Sequence, residues 1–203
     1  MQTHLEMDIE QIKIKMFEMA DLATEAIKLS VESLKNADLG VAKEIIKNDT
    51  RMDMLEIEID DDCIRLIVTR QPAASDLRFA LAMLKINTDI ERIGDIATNI
   101  AKETLKINGT PLIKPLIDIP RMAEIAIRMI QQAFASISEK DVAKAKAVIT
   151  MDDEIDQLNL QIYRELFTYM CEANKNISQS LSLIMVAKAL ERAGDHVKNI
   201  AER

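Results

Sequence analysis

The sequence predicts an all-α protein made of two tandem, sequence-related three-helix bundles, with six helices in total. Only four glycines and four prolines occur among its 203 residues, whereas a β-sandwich or barrel needs a turn about every ten residues. Apolar side chains recur at alternating steps of four and three, which is the spacing of a helix packed in a bundle. A short motif also recurs 100 residues further along the chain, which indicates two copies of one unit.

The first half of the chain contains three predicted helices. The first carries its apolar residues on the four-three step, at Leu5, Ile9, Ile12, Met16, Met19, Ala23 and Ala26. The segment Asn36–Gly40 interrupts this pattern, and a second helix follows to about Arg70. The segment Gln71–Ser75 is a predicted loop, after which Ser75 or Asp76 serves as the N-cap of a third helix that runs to about residue 106.

The second half repeats this organisation after a linker. Three of the four prolines lie between residues 111 and 120, which predicts a boundary between a first repeat, residues 1–109, and a second repeat, residues 110–203. Three further helices are predicted at about 118–137, 140–172 and 177–203. The pattern Ser138-x-x-Asp141 resembles a capping box for the fifth helix, with aspartate in the usual glutamate place.

A repeated motif supports an internal duplication. The segment Glu91–Asp95 has the sequence Glu-Arg-Ile-Gly-Asp and recurs as Glu-Arg-Ala-Gly-Asp at Glu191–Asp195, and an Asn-Ile-Ala tripeptide follows each copy at Asn99 and at Asn199. Because the third helix continues to about residue 106, its copy is predicted to continue beyond Arg203.

The glycine within each copy is unusual for a helix. Gly94 and Gly194 both lie mid-helix, where a glycine costs about 1 kcal/mol relative to alanine. Its presence in both copies indicates that another helix or a ligand approaches the backbone at this point.

Charge and cysteine content limit the function classes. The 34 acidic and 26 basic residues give a formal net charge of −8, which argues against nucleic acid as the main partner. No secretory signal and no apolar stretch of about 20 residues is visible in the sequence. Cys63 and Cys171 both lie in helical pattern and are predicted to be buried free thiols, so a reducing cytoplasm is the expected location.

Carboxylates on the second and third helices are the candidate functional groups. Glu91 and Asp95 are four residues apart and share one helix face, about 100° away from a charged stripe formed by Arg78, Lys85, Asp89 and Arg92. The second helix carries an acidic ridge between two apolar stripes, at Asp49, Asp53, Glu56 and Asp60. Carboxylates in such a position are costly unless they are paired or coordinated.

The geometry of a helical hairpin predicts which of these groups meet. If the second and third helices are antiparallel around a turn near residues 72–73, Asp49 and Asp53 face Glu91 and Asp95. In the second half, the same arithmetic pairs Asp152 and Asp156 with Glu191 and Asp195. Each half is therefore expected to bring four carboxylates together, and these repel one another unless a cation is present.

The ligand atoms available in these clusters limit which metal ions could bind. Oxygen-only sites suit Mg²⁺, Ca²⁺ or Mn²⁺, and bridging carboxylates also hold iron or zinc. A di-iron carboxylate enzyme needs Glu-x-x-His on two helices, and this motif does not occur in the sequence. His196 is interpreted either as an extra ligand or as a surface histidine. Nucleophilic triads and phosphate-binding glycine loops are also absent from the sequence, so the protein is not expected to be an enzyme.

Three segments in combination resemble the PhoU family of phosphate-transport accessory and regulatory proteins. They are Arg70–Arg78, the two Glu-Arg-x-Gly-Asp motifs, and Leu166–Met170. The resemblance implies two similar three-helix bundles and multinuclear iron or zinc sites held by pairs of (Glu/Asp)-x-x-x-Asp motifs. Carried onto this sequence, the motif residues are Asp49, Asp53, Glu91 and Asp95 in the first site, and Asp152, Asp156, Glu191 and Asp195 in the second.

The resemblance leaves some positions open. Asn159 stands where the first repeat has Glu56, so the second site has fewer acids. Glu56 and Asp60, together with Asn99 and Asn199 one turn beyond each motif, are candidates for extra ligands or for groups that support the ligands.

The role implied by the family is regulatory. Such a protein links a phosphate ABC transporter to a membrane sensor histidine kinase and represses phosphate-starvation genes when phosphate is plentiful. Two alternatives stay open: a metal-free helical scaffold of a phosphate transporter, and a carboxylate-bridged metalloenzyme. The oligomeric state is also open, with a homodimer as one alternative.

Overall fold

Six long helices form the part of the chain that the computed structural model describes, residues 3–107 and 110–203. They are α1 (His4–Asn36), α2 (Leu39–Arg70), α3 (Ala74–Ile107), α4 (Asp118–Glu139), α5 (Val142–Glu172) and α6 (Ile177–Glu202), with one 3₁₀ turn at Asn174–Asn176 before α6. The described residues contain no strand. The predicted all-α class with six helices is confirmed. The predicted repeat boundary after residue 109 lies outside the described residues.

The helices begin and end where local chemistry dictates. The carboxylate of Asp38 accepts the backbone N–H groups of Gly40 and Val41 at the start of α2. Asp141 does the same for Ala143 and Lys144 at the start of α5. A carboxylate at this position satisfies backbone donors that have no partner within the helix. The second helix of each repeat therefore begins with the same aspartate cap.

Two predicted caps are wrong. Ser138 does not cap α5, because α4 continues through Glu139 and Asp141 itself is the cap residue. Neither Ser75 nor Asp76 caps α3, since this helix already begins at Ala74. Gln71 adopts a left-handed conformation that ends α2, and the Ala73 carbonyl accepts the N–H of Leu77. The turn is therefore shorter than the composition of Gln71–Ser75 indicated.

Each set of three helices packs as a bundle, and the two bundles pack against each other. The second and third helices of each repeat form an antiparallel hairpin, which the first helix of that repeat covers. Between repeats, α3 packs along α6 and α1 packs against α4. Buried apolar residues from both repeats form one continuous core, from Ile12 in α1 to Ile200 in α6. This packing fixes both hairpins in one rigid frame.

The linker between the repeats is tied to the start of α6 by one side chain. Gln179 accepts the N–H of Ile113 at 2.6 Å. Its amide group donates to the Thr110 hydroxyl and to the Pro111 carbonyl, both at 3.1 Å. A single glutamine thus satisfies three polar groups of a segment that has no regular secondary structure.

The two cysteines differ in environment. Cys63 is buried within α2 and unpaired, as predicted, and its removal from water raises the pKa of the thiol to about 12. Cys171 is unpaired but exposed, so the prediction that both thiols are buried is wrong. Cys171 lies in the last turns of α5, on a side of the helix that no other helix covers. Among the described residues, no helix combines the length and hydropathy needed to cross a bilayer.

Candidate cation-binding clusters

The predicted hairpin register is the one that the structure adopts. A Cβ atom added at Gly94 of α3 would lie 2.8 Å from the sulfur of Met52 in α2. A Cβ atom added at Gly194 of α6 would lie 3.1 Å from Ile155 in α5. Met52 and Ile155 both lie one residue before the second aspartate of their acidic motifs. The glycines therefore let the paired helices approach at equivalent points, directly beside the carboxylates.

The first cluster consists of Asp49, Asp53 and Glu56 from α2 with Glu91 and Asp95 from α3. Burial raises the pKa of Asp49, and the charges of Asp53 and Asp95 raise it further. Burial also raises the pKa of Glu91, with added repulsion from Asp95, Glu56 and Asp53. A raised pKa means that the charged form is disfavoured. The two helices thus hold these carboxylates close enough to oppose each other's ionisation.

The negative charge of the first cluster is only weakly compensated by neighbouring positive charges. Arg92 lies 3.5 Å from Glu91 and 3.7 Å from Asp95, and its side chain is 54% exposed. Such exposed ion pairs contribute little stabilisation. An open groove of about 510 Å³, lined by residues of α1, α2 and α3, reaches Asp49. Solvent ions therefore have access to this cluster.

At the hairpin end of the first cluster, Asp60 is already engaged. The side-chain amide of Asn87 donates to Asp60 and to the Glu56 carbonyl, both at 2.8 Å. Asn87 was not among the predicted site residues, although a polar residue within an otherwise apolar helix stripe is a usable signal. This contact makes Asp60 a group that joins α2 to α3.

The second cluster consists of Asp152 and Asp156 from α5 with Glu191 and Asp195 from α6. Burial raises the pKa of Asp156, and the charges of Asp152, Glu191 and Asp195 add to the effect. The pKa of Asp195 is raised in the same way, first by burial and then by Glu191 and Asp152. In the second repeat, as in the first, the carboxylates are held close enough to oppose each other's ionisation.

Asp152 is the most deeply buried carboxylate of either cluster, at 1% exposure. One of its oxygens accepts a hydrogen bond from the ammonium group of Lys198 at 2.8 Å. The other, Oδ1, has no hydrogen-bond partner among the described residues, and it lies 2.9 Å from where a Cβ would stand at Gly194. An unpaired buried carboxylate oxygen costs free energy.

His196 was interpreted as an extra ligand or as a surface histidine, and in the structure it contacts the other repeat. It is partly buried, and its Nδ1 lies 2.9 Å from a carboxylate oxygen of Asp89 in the other repeat. Arg203 pairs with the second oxygen of Asp89. Asp89 was assigned to the charged stripe of α3, yet it is only 6% exposed because α6 packs over it. The repeats are thus joined by a buried polar contact as well as by apolar packing.

The asparagines named as candidates or as replacements in the two clusters differ in exposure. Asn99 and Asn199 are exposed, and Asn159 is partly buried. Within residues 3–107 and 110–203, no three histidine, cysteine, aspartate or glutamate side chains converge closely enough to hold one metal ion. Binding of a cation at either cluster would require carboxylate side chains to change rotamer.

Comparison with known proteins identifies the family. A family model described as the PhoU domain matches residues 16–104 and again residues 119–203. The chain belongs to the PhoU family. The double match agrees with the internal duplication, and it covers both carboxylate clusters.

Curated relatives of the family match along nearly the whole chain. A phosphate-specific transport system accessory protein PhoU homolog from Aquifex aeolicus is 40% identical over 91% of this chain and 84% of its own length. A homolog of the same name from Deinococcus radiodurans is 34% identical over all of this chain and 95% of its own length.

Solved structures of the family have the same fold. A crystal structure of PhoU from Pseudomonas aeruginosa superposes with a TM-score of 0.94 at 31% identity, covering 98% of this chain and 96% of its own. The phosphate transport system regulatory protein PhoU from Streptococcus pneumoniae superposes with a TM-score of 0.91 at 23% identity, covering 98% of this chain and 94% of its own. The second match bears on the fold alone.

Proposed function

We propose that this protein is a non-enzymatic accessory protein of phosphate uptake in the cytoplasm. In this role it represses the phosphate-starvation response by linking a phosphate ABC transporter to a sensor histidine kinase. The observation that carries the proposal is the 40% identity, over 91% of the chain, to a protein named as a phosphate-specific transport system accessory protein. The kinase link comes from the family resemblance of the sequence motifs.

An adaptor needs surfaces for its partners, and both repeats offer an equivalent one. Large apolar side chains are exposed on the outer face of each hairpin, at Ile57, Ile64 and Leu81 in the first repeat and at Leu160, Phe167 and Leu181 in the second. Isolated exposed apolar residues need no explanation. Their recurrence at matching positions of both repeats supports a role in contacts with partner proteins.

Co-purification tests this role. The tagged protein is expected to retain components of the transporter and the kinase from cells grown with ample phosphate. Phe167→Asp combined with Ile64→Asp is expected to weaken this retention and to derepress a phosphate-starvation reporter. Because both side chains are exposed, the variant should keep the melting temperature of the wild type. Retention and repression that survive both substitutions would remove this surface from the proposal.

We further propose that the two carboxylate clusters bind metal ions, with iron or zinc as the expected occupants. The ligand atoms available fit this proposal: burial and then repulsion by neighbouring carboxylates raise the pKa of Asp49 and of Asp156, and Asp152 Oδ1 is buried without a partner among the described residues. A bound cation would supply positive charge that cancels this repulsion and would cross-link the two helices of a hairpin. The ligands would be the motif residues of each cluster, after a change of carboxylate rotamers.

Elemental analysis tests the metal proposal. Protein purified without chelator is expected to contain iron or zinc, and Asp53→Asn combined with Asp95→Asn is expected to lower the content of the first cluster. Asp61→Asn is a matched control, because Asp61 is an exposed carboxylate of α2 outside the cluster. Wild-type protein without metal, even after incubation with Fe²⁺, Zn²⁺ and Mn²⁺, would overturn this part of the proposal.

A metal-free scaffold is the second candidate, and specific contacts favour it. Lys198 pairs with Asp152, and Lys188 pairs with Glu191 at 2.6 Å. These ion pairs supply positive charge to the second cluster without any metal. A carboxylate-bridged metalloenzyme has less support, since the curated relatives are named as accessory proteins. Turnover in a substrate screen with added iron or manganese would favour the metalloenzyme over the scaffold.

A further inference from the structure

The two clusters differ in charge at several positions that the duplication makes equivalent, and two of these concern the carboxylates most directly. Thr98 of α3 corresponds to Lys198 of α6, three residues after the last aspartate of each motif. Glu56 of α2 corresponds to Asn159 of α5. These two differences give the second cluster one carboxylate fewer than the first, and they place an ammonium group where the first cluster has a hydroxyl.

Lys198 is placed as a counter-ion inside the second cluster. Its ammonium nitrogen lies 2.8 Å from Asp152 Oδ2. The partner carboxylate is 1% exposed, whereas the lysine side chain is 34% exposed. A charge-assisted hydrogen bond to a buried carboxylate is among the stronger side-chain contacts. Lys188 adds a second ammonium group, 2.6 Å from Glu191.

The equivalent position of the first cluster carries no charge. Thr98 is 4% exposed, and its hydroxyl cannot serve as a counter-ion for Asp49. The nearest cation that pairs with the motif residues is Arg92, at 3.5 Å or more. The charge of Lys102 also acts on Asp49, but among the described residues no lysine forms an ion pair with any of the five carboxylates of the first cluster. This cluster therefore retains a demand for an external cation.

We propose that the two clusters are unequal cation sites, because Lys198 acts as a built-in competitor of the metal in the second cluster. This inference rests on the proposed metal function and specifies how it differs between the repeats. The first cluster fills at low metal concentration. The second fills only when a metal ion displaces the Lys198 ammonium group from Asp152.

Displacement of Lys198 is feasible because its ammonium group contacts only one of the two carboxylate oxygens of Asp152. Asp152 Oδ1 remains without a hydrogen bond among the described residues, so a cation that replaces the lysine at Oδ2 binds a carboxylate whose other oxygen has no competing partner. The lysine, being partly exposed, can move into water. Loss of a hydrogen bond between charged groups corresponds to about a ten- to hundred-fold change in binding, which sets the expected difference in affinity.

Reciprocal substitutions test the inequality. Metal-free protein is titrated with Mn²⁺ and with Zn²⁺ by isothermal calorimetry, and bound metal is counted by elemental analysis after gel filtration. Wild type is expected to show a tight and a weak class of sites. Lys198→Thr should tighten the weak class by about ten-fold or more, and Thr98→Lys should weaken the tight class. Lys198→Arg keeps the positive charge and should retain the weak class.

The outcomes separate this inference from the proposed function. Lys146→Thr, which removes a positive charge from the exposed face of α5, should leave both classes unchanged. If wild type binds metal in two equal classes, or if Lys198→Thr leaves the weak class unchanged, the inequality is wrong while metal binding stands. If no variant binds metal, both fail. Thr98 is buried, so should Thr98→Lys not fold, the result for Lys198→Thr decides alone.

Discussion

The buried contact between the repeats gives a sharp test of how the two bundles are joined. Asp89 of α3 is 6% exposed and pairs with His196 Nδ1 at 2.9 Å and with Arg203, both on the other repeat. Asp89→Asn keeps the shape of the side chain and removes its charge. The change therefore probes the electrostatic part of the interface with little change in packing.

The magnitude follows from the burial of each partner. Removing one member of a fully buried ion pair costs about 3–5 kcal/mol. Here the partners are partly exposed, with side-chain exposures of 21% for His196 and 31% for Arg203, and asparagine keeps one hydrogen-bonding oxygen. We expect a loss of about 2 kcal/mol in the free energy of unfolding, which for a chain of this length lowers the melting temperature by about 4–8 °C.

Urea unfolding and calorimetry, each with a matched control, measure this effect. Asp61→Asn removes an exposed carboxylate of α2 and should change stability by about 0.5 kcal/mol or less. A double-mutant cycle of Asp89→Asn with His196→Gln should show a coupling of at least about 0.5 kcal/mol. If Asp89→Asn is as stable as the wild type, or the cycle shows no coupling, the polar contact does not join the repeats and apolar packing alone does.

Three further outcomes follow from local geometry. Gly94→Ala should be neutral or stabilising, because the flexible end of Met52 can move aside and alanine favours the helix by about 1 kcal/mol. Gly194→Ala should destabilise the protein, because the new Cβ would meet Asp152 and Ile155. Thermal unfolding compares the two variants. A thiol reagent should label Cys171 in the native protein at once and Cys63 only on unfolding; equal rates would contradict the assigned burial. Gln179→Ala should cost about 1–2 kcal/mol and speed proteolysis in the linker, and an unchanged cleavage rate would show that its three hydrogen bonds do not hold that segment.

The helices and their pairing could be predicted because the signals lie within each repeat. The four-three spacing of apolar residues marks the buried face of a single helix, and a three-residue turn forces α2 and α3 to lie antiparallel. Equal distances from that turn then bring Asp49 and Asp53 opposite Glu91 and Asp95. In the structure, Gly94 and Gly194 lie at equivalent points of the two hairpins, against Met52 and Ile155.

The contact between the repeats could not be predicted in this way. Periodicity shows that a helix has an apolar face, but it does not show which other helix covers a polar residue at the edge of that face. Asp89 therefore looked like part of a solvated charge stripe, and His196 looked like a ligand or a surface residue. Both assignments depend on the packing of α3 along α6, between residues that lie 107 positions apart.

The residues at which helices begin also could not be predicted from the sequence. Ser138 and Ser75 are good capping residues, yet the helices begin elsewhere because Asp141 and Ala73 provide the first acceptors. Cys171 follows an apolar pattern, yet it lies on an exposed side of α5. Such local outcomes depend on where the neighbouring helix ends, which composition does not record.

Anomalous diffraction from crystals of the metal-loaded protein, recorded at the absorption edge of the bound metal, tests the central claim most directly. A peak is expected between α2 and α3, about 2.0–2.5 Å from oxygens of Asp49, Asp53, Glu91 or Asp95. A weaker peak, or Lys198 still paired with Asp152, is predicted between α5 and α6. Metal-loaded crystals whose peaks lie away from both hairpins would contradict the account.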